Sequence, residues 1–279
     1  MPLLAPHATD QAVAFLKETS TIKLTLDSTI QKSLETLARD RAASMGPNLS
    51  IGILAVDNRS GDVIAHVGSP DYCSTRRAGQ VDMTRSIRSP GSTLKPFIYG
   101  LAFEDGFIHP ESLIDDRPTR YGTYAPENFD MTYQGTVSVR KALQMSLNVP
   151  AIALLDRVGS SRLSSRISQA GANLVLPKDE VPGLAMGLGG VGISLSDLVK
   201  LYVGLARLGT TIPLREITRD DDPEPETRRL MDPAAAWQVG NVLMGTPPPE
   251  NATANRIAFK TGTSYGYRDA WSVGFDGRM

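Results

Sequence analysis

Three short polar motifs, separated by long stretches of chain, oblige this sequence to fold back on itself. They are Ser92-Thr93-Leu94-Lys95, Ser146-Leu147-Asn148 and Lys260-Thr261-Gly262-Thr263. Together they supply a hydroxyl nucleophile, an amine base, a second hydroxyl, an amide and a further cation. That is the equipment for acyl transfer through a serine ester, provided the segments share one cleft. A fold that serves this chemistry must bring the first third, the middle and the end of the chain together.

Each motif draws its meaning from its surroundings. The Ser-x-x-Lys spacing also occurs at Ser20–Lys23 and Ser138–Lys141, where a solvated pair on a helix face explains it. Ser92 differs because Pro90-Gly91 places it at a helix start, where free N–H groups and the helix dipole favour developing negative charge. Lys95 follows one turn later on the same face, and Pro96 is tolerated so close to the start. A lysine acts as a base only if its pKa falls from about 10.4 towards neutrality, through burial or a neighbouring cation. Lys260 is the candidate cation.

In the second motif the Ser146 hydroxyl can relay a proton between Lys95 and a leaving amine, while the Asn148 amide can hold a substrate backbone. Lys260 follows the apolar Ile257-Ala258-Phe259, which predicts a strand. Gly262 removes a side chain where a substrate must approach the backbone. Lys260 and the Thr261 and Thr263 hydroxyls can bind a carboxylate, and the Thr263 and Ser92 N–H groups can form an oxyanion hole. Catalytic candidates are thus Ser92, Lys95, Ser146 and Lys260, and substrate-binding candidates are Asn148, Thr261, Gly262 and Thr263.

Residues 1–20 are weakly patterned and predict a linker. A helix capped by Asp27 or Ser28 follows, with Ile30, Leu34 and Leu37 at helical spacing and a stop near Gly46-Pro47. Segments 50–56 and 62–67 flank the turn Asn58-Arg59-Ser60-Gly61, predicting a β-hairpin. A polar surface crossing over 69–89 leads to the Ser92 helix. From there to about Leu208 the pattern is mainly helical, with loops over 115–130 and 177–192. Segment 219–229, with Asp220-Asp221-Asp222, reads as an exposed loop. A helix over 231–244 precedes strands over 256–263 and 269–275. The expected architecture is an α/β part, 21–100 and 255–279, interrupted by a mainly helical lobe, 101–254.

A net charge of -1 leaves no basic excess for nucleic acid. The single cysteine, Cys73, excludes an internal disulfide, and three scattered histidines make a metal site a poor expectation. No cofactor is expected. The N-terminus has no signal-peptide pattern, and no apolar run approaches bilayer-spanning length. His66 is expected to face solvent, and Trp237 and Trp271 to pack.

The run Arg88-Ser89-Pro90-Gly91-Ser92-Thr93-Leu94-Lys95-Pro96-Phe97 resembles the transpeptidase domain of class A penicillin-binding proteins. So do Tyr124-Ala125-Pro126-Glu127-Asn128-Phe129, Leu188-Gly189-Gly190-Val191-Gly192 and Lys260-Thr261-Gly262-Thr263-Ser264. The likeness is strongest to the penicillin-binding protein 1C type and covers nearly all of residues 21–279. It implies the β-lactamase/DD-peptidase fold, an antiparallel sheet flanked by helices plus an all-α lobe. It also implies peptidoglycan stem peptides ending in D-Ala-D-Ala as substrate, acylation by β-lactams, and the roles given above.

Family members carry a membrane anchor and a glycosyltransferase domain and work at the periplasmic face of the inner membrane; neither segment is in this sequence. The resemblance also implies a last sheet strand between segment 269–275 and the N-terminal hairpin. The chain is therefore expected to be a fragment lacking that strand, marginal or inactive alone. A DD-carboxypeptidase or β-lactamase-like hydrolase, using water as acceptor, is an alternative. It is disfavoured by Leu147, where an aspartate would stand, and by the lack of Glu-x-x-Asn before Gly183. An inactive remnant or penicillin-binding receptor is the third reading.

Overall fold

The helix and hairpin order expected from the N-terminal half emerges with one addition at its start. The computed structural model describes residues 4–15, 21–178, 180–218, 225–250 and 252–279. Within the stretch read as a linker, α1 (Pro6–Phe15) buries His7, Ala8 and Ala12. Its apolar face is built from alanines, too small to register as a hydrophobic stripe. Helix α2 (Ser28–Met45) is capped by Asp27, whose carboxylate accepts the Thr29 and Ile30 N–H groups. Its buried positions are Gln31, Ala38 and Ala42, while Leu37 is exposed. The Gln31 amide explains that rotation. It accepts the His66 N–H at 2.7 Å and donates to the His66 carbonyl at 2.8 Å, closing the backbone of the neighbouring strand as a further rung would.

Strands β1 (Ile53–Val56) and β2 (Val63–Val67) form the expected antiparallel hairpin. The Asp57 carboxylate organises its turn by accepting the Arg59 and Ser60 N–H groups. A short 3-10 turn, Gly91–Leu94, runs directly into α3 (Lys95–Glu104), and every α3 residue from Lys95 to Phe103 is buried. A second hairpin, β3 (Leu113–Asp116) with β4 (Gly135–Ser138), stands where the sequence pattern reads as helix and loop. Its strands are mostly solvent-facing, so no apolar alternation marks them.

The polypeptide continues through α4 (Val139–Gln144), α5 (Asn148–Val158), α6 (Ser160–Gln169) and α7 (Leu195–Ala206). Ser138 caps α4 by accepting the Lys141 N–H, which is what that Ser-x-x-Lys pair does; Ser20 of the other pair lies outside the described residues. After the two-residue pair β5 (Thr210–Thr211) and β6 (Arg228–Arg229) comes α8 (Pro233–Met244), then the hairpin β7 (Ala258–Thr263) and β8 (Ala270–Phe275). The Asp220–Asp222 run lies outside the described residues.

A large apolar core is flanked by two smaller clusters, one joining Val56 and Val63 to Val203 and Ile212, the other Val137, Ala142 and Leu147. The large core joins Phe97, Ile98 and Leu101 of α3 to Ile152 and Leu155 of α5, Val239 and Leu243 of α8, and Ala258 and Val273 of the last hairpin. No strand of the β1–β2 hairpin pairs with a strand of the β7–β8 hairpin. A cleft of about 730 Å³ separates them, lined by residues 49–56 and 267–276 and floored by Leu195, Val199, Tyr202 and Val203. It lies where the resemblance implies a further strand. One end is closed by Asn58, whose backbone N–H donates to the Arg278 carbonyl and whose side-chain amide donates to the Asp276 carbonyl. Among the described residues no helix is long and apolar enough to cross a membrane.

His66 corrects its expected exposure. It is 1% exposed, with Nε2 3.0 Å from Asp82 Oδ2 and Nδ1 3.2 Å from Glu216 Oε2. Both carboxylates arrive from distant segments, which strand alternation could not reveal. Trp237 is exposed rather than packed.

Candidate active site

The turn carrying Ser92 is held from every side by backbone-directed bonds. Thr93 Oγ1 donates to the Pro90 carbonyl at 2.9 Å, and the buried Tyr202 hydroxyl donates to the Thr93 carbonyl at 3.0 Å. Trp271 Nε1 donates to the Ser89 carbonyl at 2.7 Å, while Ser89 Oγ donates to the Gly189 carbonyl at 2.7 Å. Residues 188–192 and β8 therefore brace the turn, and Ser92 sits half-buried within it. Gly91 has φ 53°, in the left-handed region, and a Cβ there would collide with the Thr263 carbonyl oxygen. Only glycine permits this approach of two backbones.

From the first turn of α3, Lys95 points into the protein and is fully buried. Its Nζ lies 2.6 Å from the Ser146 carbonyl, 3.1 Å from the Leu147 carbonyl, 2.6 Å from Asn148 Oδ1 and 3.4 Å from Ser146 Oγ. Ser146 occupies the bend between α4 and α5 with φ 59°, and Asn148 opens α5. The bend thereby turns two carbonyls and both motif side chains towards a single amine. Burial holds the Lys95 pKa well below the ordinary lysine value, the charge of Lys260 lowers it further, and the Asp116 carboxylate pulls it partly back.

Lys260 is buried on β7 and donates to the Thr261 carbonyl at 2.8 Å. Burial lowers its pKa to about 8. Strand alternation puts Gly262 on the same buried face, where a Cβ would meet the Pro90 carbonyl oxygen at 2.5 Å and the Thr93 nitrogen at 3.0 Å. The third motif is thus pressed backbone to backbone on the nucleophile turn. Thr261 and Thr263 lie on the opposite, exposed face, so the Thr261 hydroxyl does not share a face with the Lys260 amine.

The Asn148 side chain is engaged inward. Its Oδ1 takes the Lys95 amine, its Nδ2 donates to the Glu127 carbonyl at 2.6 Å, and its backbone N–H donates to Asn128 Oδ1 at 2.7 Å. Asn128 in turn bonds the buried Asp116. Neither residue has a role in the motifs themselves: Asn128 stands within the segment Tyr124–Phe129, whereas Asp116 has no local sequence signal. At the rim, the exposed Phe129 and Tyr267 rings meet edge to face at 5.6 Å. No group of histidine, cysteine, aspartate and glutamate that could hold a metal ion occurs among the described residues.

A family model described as the penicillin binding protein transpeptidase domain matches residues 51–276. Penicillin-binding protein 1C of Escherichia coli (strain K12) is 42% identical over the whole chain, and penicillin-binding protein 1F of Bacillus subtilis (strain 168) is 31% identical over 91% of it. The chain spans 36% and 38% of the lengths of those two proteins. The structure of penicillin-binding protein PonA1 from Mycobacterium tuberculosis superposes with a TM-score of 0.80 at 18% identity, covering 98% of this chain and 79% of that one. The same protein in complex with penicillin V gives a TM-score of 0.77 at 18% identity, covering 99% and 81%. The fold, the matched span and the similarity of the whole of this chain to part of the 1C protein place it in the family of penicillin-binding protein transpeptidase domains.

Proposed function

We propose that this domain is a serine-type D-Ala-D-Ala transpeptidase of peptidoglycan, acylated by β-lactams, and that its parent works at the periplasmic face of the inner membrane. The observation that carries the reading is the buried Lys95 amine, which gathers Ser146 and Asn148 while the charge of Lys260 acts on it. Ser92 Oγ attacks the carbonyl of the penultimate D-Ala as its proton passes to the neutral Lys95 amine. The Ser92 and Thr263 N–H groups receive the oxyanion, each such donor worth about 10²–10³ in rate. Collapse breaks the amide between the two D-Ala residues. The proton travels from Lys95 through Ser146 Oγ to the departing nitrogen, and terminal D-Ala leaves. A stem-peptide amine then attacks the ester, regenerates the Ser92 hydroxyl and forms the cross-link. Thr261 and Thr263, on the exposed face of β7, are the contacts for the substrate carboxylate; Lys260 acts from the buried face through its charge on Lys95, and Asn148 contributes by holding the Lys95 amine.

Intact-mass measurement after benzylpenicillin treatment tests the nucleophile. A single penicilloyl adduct is expected, absent in Ser92→Ala; an adduct that survives this substitution overturns the assignment. Rapid turnover of a chromogenic β-lactam would favour the hydrolase reading. A stable adduct without cross-linking of any donor and acceptor peptides would favour a receptor or inactive form.

A further inference from the structure

Behind the second motif lies a polar assembly that the acyl-transfer chemistry leaves without a task. Asp116, the last residue of β3, is fully buried, and no lysine or arginine pairs with it among the described residues. Its partners are all donors. Asn128 Nδ2 lies 2.8 and 2.9 Å from its two oxygens, and the Gln134 N–H donates at 2.7 Å. Asn128, 3% exposed, also donates to the Thr132 carbonyl, so segment 128–134 folds back around the carboxylate. The remaining Asn128 acceptor, Oδ1, takes the Asn148 N–H at 2.7 Å. An unbroken path of short hydrogen bonds therefore runs Asp116, Asn128, Asn148, Lys95.

Burying a carboxylate without a cation in contact costs stability, and a solvated turn could close the β3–β4 hairpin without one. We infer that Asp116 and Asn128 are positioning residues for acylation, a buried carboxylate–amide pair that fixes Asn148 where its Oδ1 meets the Lys95 amine and sets a negative charge behind that amine. The inference rests on the acyl-serine reading above. The Asn128 link holds the α5 start, and with it the Ser146 bend, in register with α3. The carboxylate opposes Lys260 across Lys95; these are the two charges acting on the Lys95 amine among the described residues. Losing the anion should make Lys95 a weaker base that is free of its proton at lower pH.

The test is the second-order rate of acylation by a fluorescent penicillin, followed against pH and normalised to the fraction of sites that label to completion. Asn128→Ala should acylate about 10²-fold more slowly, the scale expected of a misplaced reacting group. Asp116→Asn should be slowed and should also move the acidic limb of its profile about one pH unit downward. The exchange variant Asp116→Asn/Asn128→Asp restores one carboxylate and one amide, and should recover much of the rate. Variants that label completely at the wild-type rate with the wild-type limb overturn the inference while leaving the acyl-serine reading intact; a wild-type chain with no adduct at Ser92 overturns the latter. Should Asp116→Asn fail to fold, Asn128→Ser, which keeps the carboxylate, decides the matter by the same rate.

Discussion

At Lys95 two opposing requirements meet on one nitrogen. Oxygens of Ser146, Leu147 and Asn148 within 3.1 Å suit an ammonium with three N–H donors. Burial and the Lys260 charge favour the neutral amine. A proton held in that balance is easily surrendered and recovered, which is what a base needs at neutral pH. The sign of each contribution can be tested singly. Lys260→Ala removes a cation, so the Lys95 pKa rises and the acidic limb of the acylation profile should move to higher pH, opposite to the shift expected for Asp116→Asn. An unmoved limb would show that the two amines do not sense each other.

Among the elements, the contact of β7 with the Ser92 turn governs whether the three motifs act together. Gly262→Ala puts a methyl 2.5 Å from the Pro90 carbonyl oxygen. Because that oxygen belongs to backbone, the strand itself must move. Overpacking of this kind costs about 1–3 kcal/mol, and β-lactam acylation should fall by more than the melting temperature alone would suggest. Full acylation at the wild-type rate would refute the close contact. Such elements were legible because their signals are local: the Asp27 cap, the Asn58–Gly61 turn, and an apolar run leading to Lys260. The β3–β4 hairpin leaves no mark in the sequence because its mostly solvent-facing strands carry no apolar alternation. Helix α2 turned a different face inward because Gln31 bonds a strand remote in sequence. Asp116 and His66 were opaque for the same reason: their partners are assembled only by the tertiary fold.

Across the whole molecule, His66 ties together β2, the crossing segment at Asp82 and the chain at Glu216. Burial alone would push its pKa down. The hydrogen bonds and charges of Asp82 and Glu216 outweigh that and raise it to about 9, while His66, joined by the Thr84 hydroxyl and N–H, outweighs the burial of Asp82 and lowers that carboxylate to about 2. The His66 contribution to stability is complete below its unfolded value of 6.5 and disappears as pH rises through about 9. The Asp82 contribution is complete above its unfolded value of 3.8 and disappears as pH falls through about 2. Between pH 6 and 9.5 the wild-type melting temperature should therefore decline more than that of His66→Gln. Lys95 and Lys260 titrate in the opposite sense in both proteins, so the difference isolates the histidine, and parallel curves would dismiss this tie.

The cleft between the two outer hairpins has its own consequence. No ladder rung fastens β7–β8 to β1–β2, so the lysine-bearing strand keeps its place through helix packing and its contact with the Ser92 turn. Lys95 and Asn148 ride on the buried pair α3 and α5, and Ser92 on the turn that runs into α3. Mild urea should peel the last hairpin away first, and penicillin labelling should vanish while the far-ultraviolet helical signal still stands. The domain would then fail as a catalyst before it fails as a fold.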